Sequence, residues 1–282
     1  MPLLTTITEI KSQIAIWKRN NFTIAFVPTM GGLHKGHLSL VKKAAEVADK
    51  VIVSIFVNPK QFGENEDFDS YPRDIEEDKK KLADHKVDAI FIPEINIMYP
   101  KEDSITIDVG DITKILCGKS RPIFFNGIAL VVSKLFNIVR PDIAIFGEKD
   151  YQQLQVIKKL VVELNFNIKI ISSPIIREED GLAMSTRNEY LTKQQREIAA
   201  NFYKILSETA NNSKAIIKQN KDISSIKKDA INKLAEYFEV DYLEILDAKN
   251  LAKINKNSNS FIIISAVMIG KTRLIDNIQF NI

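Results

Sequence analysis

Apolar and polar positions change period along the chain in a repeating order. Thr6-Ile7-Thr8-Glu9 has the form of a capping box, and Ile7, Ile10, Ile14 and Trp17 follow at helical spacing, which predicts a helix to about Arg19. Phe22 to Val27 is a short β-favouring run closed by Pro28, after which Leu38, Val41, Ala45 and Ala48 resume the helical period. Val51 to Val57, VIVSIFV, is apolar on both alternating faces, the pattern of a parallel strand covered by helices on both sides. A charged helix from Asp74 to about His85 and a buried strand from Val87 to Ile92 come next. Ile128, Val131, Val132, Leu135, Phe136 and Val139 then form an unbroken helical stripe that Pro141 ends. Asp142 to Phe146 reads as a strand, Tyr151 to Leu164 as a helix with Leu154, Ile157, Leu160 and Val161 inward, and Ile168 to Ile171 as a strand. Strand, loop and helix in this order predict an α/β fold with a parallel sheet.

From Pro174 onward the pattern changes. Ile175 to Glu178 leads into the polar stretch DGLAMSTRNEY, and Thr192 with Gln195 three residues on caps a further helix. Asn- and Lys-rich helices are expected to about Phe238, and the apolar runs Tyr242 to Leu246 and Phe261 to Met268 are expected to form a small sheet. A chain of 282 residues suits a larger and a smaller domain, and the change of composition places the boundary between residues 174 and 175.

Composition narrows the class. Hydrophobic residues at 45% and charged residues at 27% are those of a globular protein. No basic segment followed by an apolar stretch opens the chain, and no apolar run nears the roughly 20 residues that span a bilayer, so a cytoplasmic protein without a membrane partner is expected. Cys117 is the single cysteine, which excludes an intrachain disulfide and a cysteine zinc cluster. The net charge of +3 comes from lysines spread among acidic residues; it argues against nucleic acid and leaves room for a local small-anion site.

In a parallel sheet ligands gather at the carboxyl ends of strands, where the unusual polar loops Thr29 to His37, Asn58 to Gln61 and Gly147 to Gln153 fall. Gly31 and Gly32 permit a tight turn into a helix whose first N–H groups favour an anion, and His34 and His37, three apart, would face the same phosphates. A metal shared by the histidines lacks a third ligand, since neither His85 nor Cys117 offers itself; plain decoration of a helix start is the remaining alternative. Gln153, one turn before Ile157, is expected on the inward stripe, and Lys149 is open to phosphate contact or to a surface carboxylate. Gly270-Lys271-Thr272 fails as a phosphate-binding loop because Ser265 stands where glycine is required, and the run EEDKKK from Glu76 to Lys81 reads as a solvated helix face.

In order along the chain, PTMGGLHKGH, SIFVNPKQF, SKLFNIVRPDIAIFGEKDYQQL, REEDGLAMSTRN and GKTRLIDN resemble the pantothenate synthetases, the pantoate–β-alanine ligases, over nearly the whole chain. His34-Lys35-Gly36-His37 is similar to the HIGH signature of the adenylyl-transferring superfamily, and Ala183-Met184-Ser185-Thr186-Arg187 resembles its KMSKS element. The resemblance implies a Rossmann-type N-terminal domain, a smaller α+β C-terminal lid and a homodimer. It also implies Mg·ATP as substrate, with Mg²⁺ assisting, and condensation of (R)-pantoate with β-alanine through pantoyl adenylate, releasing pyrophosphate and then AMP. Carried over by position, Met30, Gly31, Gly32, Leu33, His34, Lys35, Gly36 and His37 would line ATP, with His34 and His37 on its phosphates and His37 a proton donor. Gly147, Glu148, Lys149 and Asp150 would hold nucleotide and phosphates, Ile176 would touch adenine, and Met184, Ser185, Thr186 and Arg187 would close on the phosphates. Asn58, Gln61 and Gln153 would hold pantoate, with Gln61 also meeting β-alanine, and no protein metal ligand is implied. One departure stands at Phe124, where relatives usually carry histidine, so the contact that histidine makes would be lost. A related adenylyltransferase with another acceptor and a non-catalytic nucleotide-binding homologue are the competing readings. The amide-rich acceptor loops disfavour the first, and both histidines with Lys149 disfavour the second.

Overall fold

Each expected β run before residue 174 enters one parallel sheet. The computed structural model describes residues 1–64, 66–101, 104–219 and 222–282. Along the chain come β1 (Leu3–Leu4), α1 (Ile7–Arg19), β2 (Ile24–Thr29), α2 (Lys35–Val47), β3 (Lys50–Ile55), α3 (Ile75–Ala83) and β4 (Ala89–Phe91). Two short helices, α4 (Ile95–Met98) and α5 (Cys117–Ser120), precede α6 (Phe124–Val139), β5 (Ile143–Gly147), α7 (Tyr151–Glu163) and β6 (Lys169–Ser173). The strand order is β1-β4-β3-β2-β5-β6, every pair parallel. From β2 the chain builds outward through β3 and β4, then returns to lay β5 on the other side of β2. That reversal opens a crevice at the carboxyl ends of β2 and β5, the usual ligand position in such sheets.

Local chemistry accounts for the elements. Thr6 and Glu9 make the reciprocal capping bonds at the start of α1. Ala25, Val27, Val51 and Val53 pack on one face of the sheet against Leu40, Val41 and Ala44 of α2 and Leu82 of α3. Leu38 and Ala45, expected inward, are only half-buried, because α2 starts at Lys35 and turns its neighbouring stripe to the sheet. Helix α6 starts earlier than its stripe implies and is apolar nearly all round: Leu130 and Ile138 are buried beside the expected Ile128 and Leu135. His85 lies beyond the end of α3 rather than within it.

By contact the chain separates into two units: residues 1–148 with 156–174, and residues 149–155 with 175–282. In the second unit, α8 (Lys193–Lys218) and α9 (Ser224–Ala235) pack on an antiparallel sheet of β7 (Glu239–Asp247), β8 (Ser260–Ile269) and β9 (Thr272–Asn281), in the order β7-β8-β9. Thr192 and Gln195 form the expected capping box of α8. The expected helical region also spans residues 220–221, which lie outside those described. Strand β9 is absent from the sequence reading; its turn from β8 contains Gly270 at φ +59°, so the Gly270-Lys271-Thr272 stretch is a hairpin turn.

Candidate active site

The loop from β2 to α2 is built on two left-handed glycines, Gly31 at φ +88° and Gly32 at φ +61°. Its amides are not open to a ligand as the sequence suggests. Gly32 N and Leu33 N donate to the two carboxylate oxygens of Asp78 at 3.0 and 2.7 Å, and Gly31 N donates to Thr29 Oγ1 at 3.4 Å. Lys81 Nζ, one turn after Asp78 on α3, donates to Leu33 O at 2.8 Å. The EEDKKK stretch is therefore not a solvated face throughout: Asp78 is 2% exposed, and it clamps the loop. Burial pushes its carboxyl above the usual range, and the Leu33 and Gly32 amides pull it back.

The two histidines close the first turn of α2 on each other. His34 is the N-cap, and its Nδ1 accepts from Gly36 N at 3.1 Å; His37 Nδ1 accepts from His34 N at 3.3 Å. The rings lie 4.1 Å apart between centroids. A neutral imidazole that accepts at Nδ1 carries its proton on Nε2, so both rings present Nε2–H as a donor. With the amides of Gly31, Gly32, Leu33, His34 and Gly36 engaged within the protein, the imidazole Nε2–H groups are donors of the chemistry an anion requires. Lys35 between them is exposed.

After β3, a 3-10 turn (Pro59–Gln61) capped by Asn58 carries the amide pair. Asn58 is 1% exposed and fully engaged: its Oδ1 accepts from Tyr99 Oη at 2.7 Å and Lys60 N at 3.3 Å, and its Nδ2 donates to Gln61 Oε1 at 3.0 Å and Gly127 O at 3.1 Å. Gln61 therefore turns its Nε2 the other way, where it donates to Met30 Sδ at 2.9 Å. Gly127 makes this packing feasible, since a Cβ there would stand 2.1 Å from Lys60 O. The structure thus joins Met30, Asn58 and Gln61 in one network. At the end of β5, Gly147 lies beside Leu40 of α2, and Glu148 accepts from Ser172 Oγ at 2.7 Å.

In the second unit, Ile176 and Met184 face each other across a hairpin. Met184 N donates to Ile176 O at 3.0 Å, Arg177 and Ala183 form a bridge, and Glu178 N donates to Leu182 O at 2.8 Å before the turn at Gly181, φ +91°. Arg196 of α8 grips the turn at Asp180, with Nη2 to Oδ1 at 3.2 Å, and holds that carboxyl below its usual range. Ser185 caps the following 3-10 turn (Thr186–Tyr190) by accepting from Arg187 N at 3.3 Å; Thr186 is buried, while Ser185 and Arg187 are partly exposed. Lys149 Nζ stands 3.6 Å from the half-exposed Asp150, and Lys149 O accepts from Asn277 Nδ2 at 3.0 Å. On α7 the expected stripe Leu154, Ile157, Leu160 and Val161 is buried, but the buried amides are Gln152 and Gln155, one residue before and two after Gln153, which is partly exposed. Among the described residues no three His, Cys, Asp or Glu side chains group as metal ligands.

The pantoate-beta-alanine ligase family profile matches residues 2–279. The chain belongs to that family. It is 55% identical over 273 residues to the pantothenate synthetase of Ruthia magnifica subsp. Calyptogena magnifica, covering 97% of this chain and 96% of that one. It is 48% identical over 284 residues, 100% of both chains, to the pantothenate synthetase of Clostridium botulinum strain Loch Maree. Among solved structures, pantothenate synthetase from Thermus thermophilus superposes with a TM-score of 0.90 at 36% identity and 99% coverage of both chains. The Francisella tularensis pantoate-beta-alanine ligase, complexed with beta-gamma ATP and beta-alanine, gives 0.80 at 37% identity, covering 99% of this chain and 97% of that one. The parallel α/β sheet with a small antiparallel C-terminal sheet is the fold this family predicts.

Within the ligase frame Phe124 has a defined setting. Its ring lies 3.7 Å from the Arg121 guanidinium, which pairs with Glu66 and donates to Gln61 O at 3.2 Å. Phe124 thus supports the backbone of the amide pair through a cation–π stack on Arg121. Sequence reading missed Asp78, Tyr99 and Arg121 for the same reason: each acts on a loop distant in the chain, and only the fold supplies that proximity.

Proposed function

We propose that this ligase condenses (R)-pantoate with β-alanine in two steps, using Mg·ATP. A carboxylate has no usable leaving group, so a pantoate oxygen first attacks the α-phosphorus of ATP; the bond to the β-phosphate oxygen breaks and pyrophosphate leaves. The β-alanine nitrogen then attacks the acyl carbon of pantoyl adenylate, the bond to AMP oxygen breaks, and the amine gives up a proton as the amide forms. The observation that carries this reading is the pair of imidazoles whose Nδ1 atoms accept from backbone amides, which fixes the tautomer and orientation of His34 and His37 so that each carries Nε2–H, the kind of donor that stabilises phosphate charge. Gln61, its amide orientation set by Asn58, supplies a neutral donor suited to a carboxylate or hydroxyl; Gln153 is the second such amide, and Gln61 also serves β-alanine. Lys149 adds positive charge, Gly147 to Asp150 and Met184 to Arg187 border the nucleotide, and Ile176 meets the adenine. Mg²⁺ enters with the triphosphate and neutralises part of its charge. The enzyme acts in the cytoplasm as a homodimer, which light scattering would report as twice the 32.0 kDa chain mass.

Purified protein given Mg·ATP, pantoate and β-alanine is expected to yield pantothenate, AMP and pyrophosphate in equal amounts. Absence of AMP would overturn the reading, and nucleotide binding without turnover would favour the non-catalytic homologue. His37→Ala and Lys149→Ala should each slow turnover about 100-fold or more, the scale for losing one transition-state donor.

A further inference from the structure

Strand β9 places Leu274, Asp276, Ile278 and Phe280 on one alternating face. Leu274 and Phe280 are core residues of the second unit, yet the carboxylate between them is 1% exposed. A buried charge is costly unless it is paired, and a well-packed apolar pair commonly serves folding as well or better. Folding alone therefore does not account for an aspartate here, and its partners point to another role.

Arg177 grips Asp276 as a fork, Nη1 to Oδ2 at 2.6 Å and Nη2 to Oδ1 at 2.9 Å. The same guanidinium donates to Gly181 O at 3.0 Å and Asn277 O at 3.3 Å and lies 4.0 Å over the Tyr203 ring. A bidentate, stacked guanidinium has a single allowed orientation. Arg177 adjoins Ile176, whose carbonyl receives the Met184 amide, so fixing Arg177 fixes the Ile176–Met184 rung. The next residue of β9 holds a different segment: Asn277 N donates to Asp276 Oδ1 at 2.7 Å, and Asn277 Nδ2 donates to Lys149 O at 3.0 Å.

We infer that Asp276 and Asn277 are positioning residues: two consecutive positions of β9, one gripping the 176–184 hairpin and the other the Lys149 main chain, set the placement of the Lys149 ammonium relative to Ile176 and Met184. This rests on the assignment of those three residues to the nucleotide. Neither anchor touches substrate; each acts through the segment it holds.

The test is a double-mutant cycle. Asn277→Leu keeps the volume and removes the donor to Lys149 O. It is expected to lower kcat/KM for ATP about tenfold or more, as small misplacement of a catalytic group does, with the KM for pantoate and for β-alanine unchanged. In a Lys149→Ala background the same substitution should change the rate less than about twofold, because the group it positions is gone. Arg177→Lys, which keeps the charge and loses the fork, should also lower kcat/KM for ATP while leaving circular dichroism unchanged. Multiplying effects in the cycle, or an Asn277→Leu variant within twofold of its parent, would overturn the inference. Should the parent make no pantothenate, the functional reading fails separately. The same cycle is then read in Mg·ATP affinity by calorimetry, where non-additivity supports the anchor and additivity overturns it.

Discussion

The histidine loop and the 176–184 hairpin are each held by a buried aspartate from a distant part of the chain, yet the two carboxylates meet different principal donors. Asp78 takes two backbone N–H groups, those of Gly32 and Leu33. Asp276 takes a guanidinium fork from Arg177 and, beside it, the single amide of Asn277. The amide clamp leaves two main-chain donors unsatisfied if it is removed, while the ionic clamp leaves a charge and one main-chain donor. The first fixes the course of the backbone itself; the second fixes a side chain that carries the backbone with it. Removal of the ionic clamp should therefore cost more, whereas replacement by apolar groups is open only to the ionic one.

The comparison can be broken in order of effect. Asp276→Ala should cost about 3–5 kcal/mol of stability in urea denaturation, because the partly buried Arg177 loses the carboxylate that balances its charge. Changing both partners, Arg177→Met with Asp276→Leu, should restore most of that stability without restoring activity; recovered turnover would show that the pair is structural only. Asp78→Ala should cost about 2–4 kcal/mol, from the buried Leu33 N–H at roughly 1–3 kcal/mol and the half-buried Gly32 N–H at about 1 kcal/mol, and no apolar replacement should rescue it. Phe124→Leu removes a stack worth about 0.5–2 kcal/mol, so stability should fall little and the KM for pantoate should rise by less than about tenfold. The smallest signal is in pH. The folded-state pKa of Asp78 is raised by burial, so the native state holds that proton more tightly than the unfolded chain. The stability this contributes is fully present below the ordinary aspartate range and is lost as pH rises through the raised value. Asp78→Asn should abolish that slope. A difference curve between wild type and variant that stays flat would show that the carboxyl is not shifted.

Much of the fold was legible because its signals are local. The capping boxes at Thr6 and Thr192 and the two-faced apolar run of β3 stand in the structure where their residue types place them. What escaped depended on contacts between distant residues. Strand β9 was missed because Asp276 occupies an inward position and interrupts its alternation, so the residue that hid the strand is the one that makes it interesting. The cap of α2 went unread because its two side chains are histidines rather than the usual hydroxyl and carboxylate. Asp78 was hidden among five charged neighbours in EEDKKK, with nothing local to single it out. The histidine and amide motifs were visible as residue types. Their hydrogen-bond polarity, with both Nδ1 atoms accepting and Asn58 wholly engaged, was not.

Gly127 sets a limit on how this enzyme can change. Because a single methyl there would collide with the Lys60 carbonyl, the support beneath Asn58 and Gln61 is main chain against main chain. A support of that kind cannot be enlarged or trimmed one side chain at a time. Attempts to retune the acid this ligase accepts, by evolution or by engineering, are thereby steered to Met30, Tyr99 and the Arg121–Phe124 stack, where a substitution alters shape without displacing backbone.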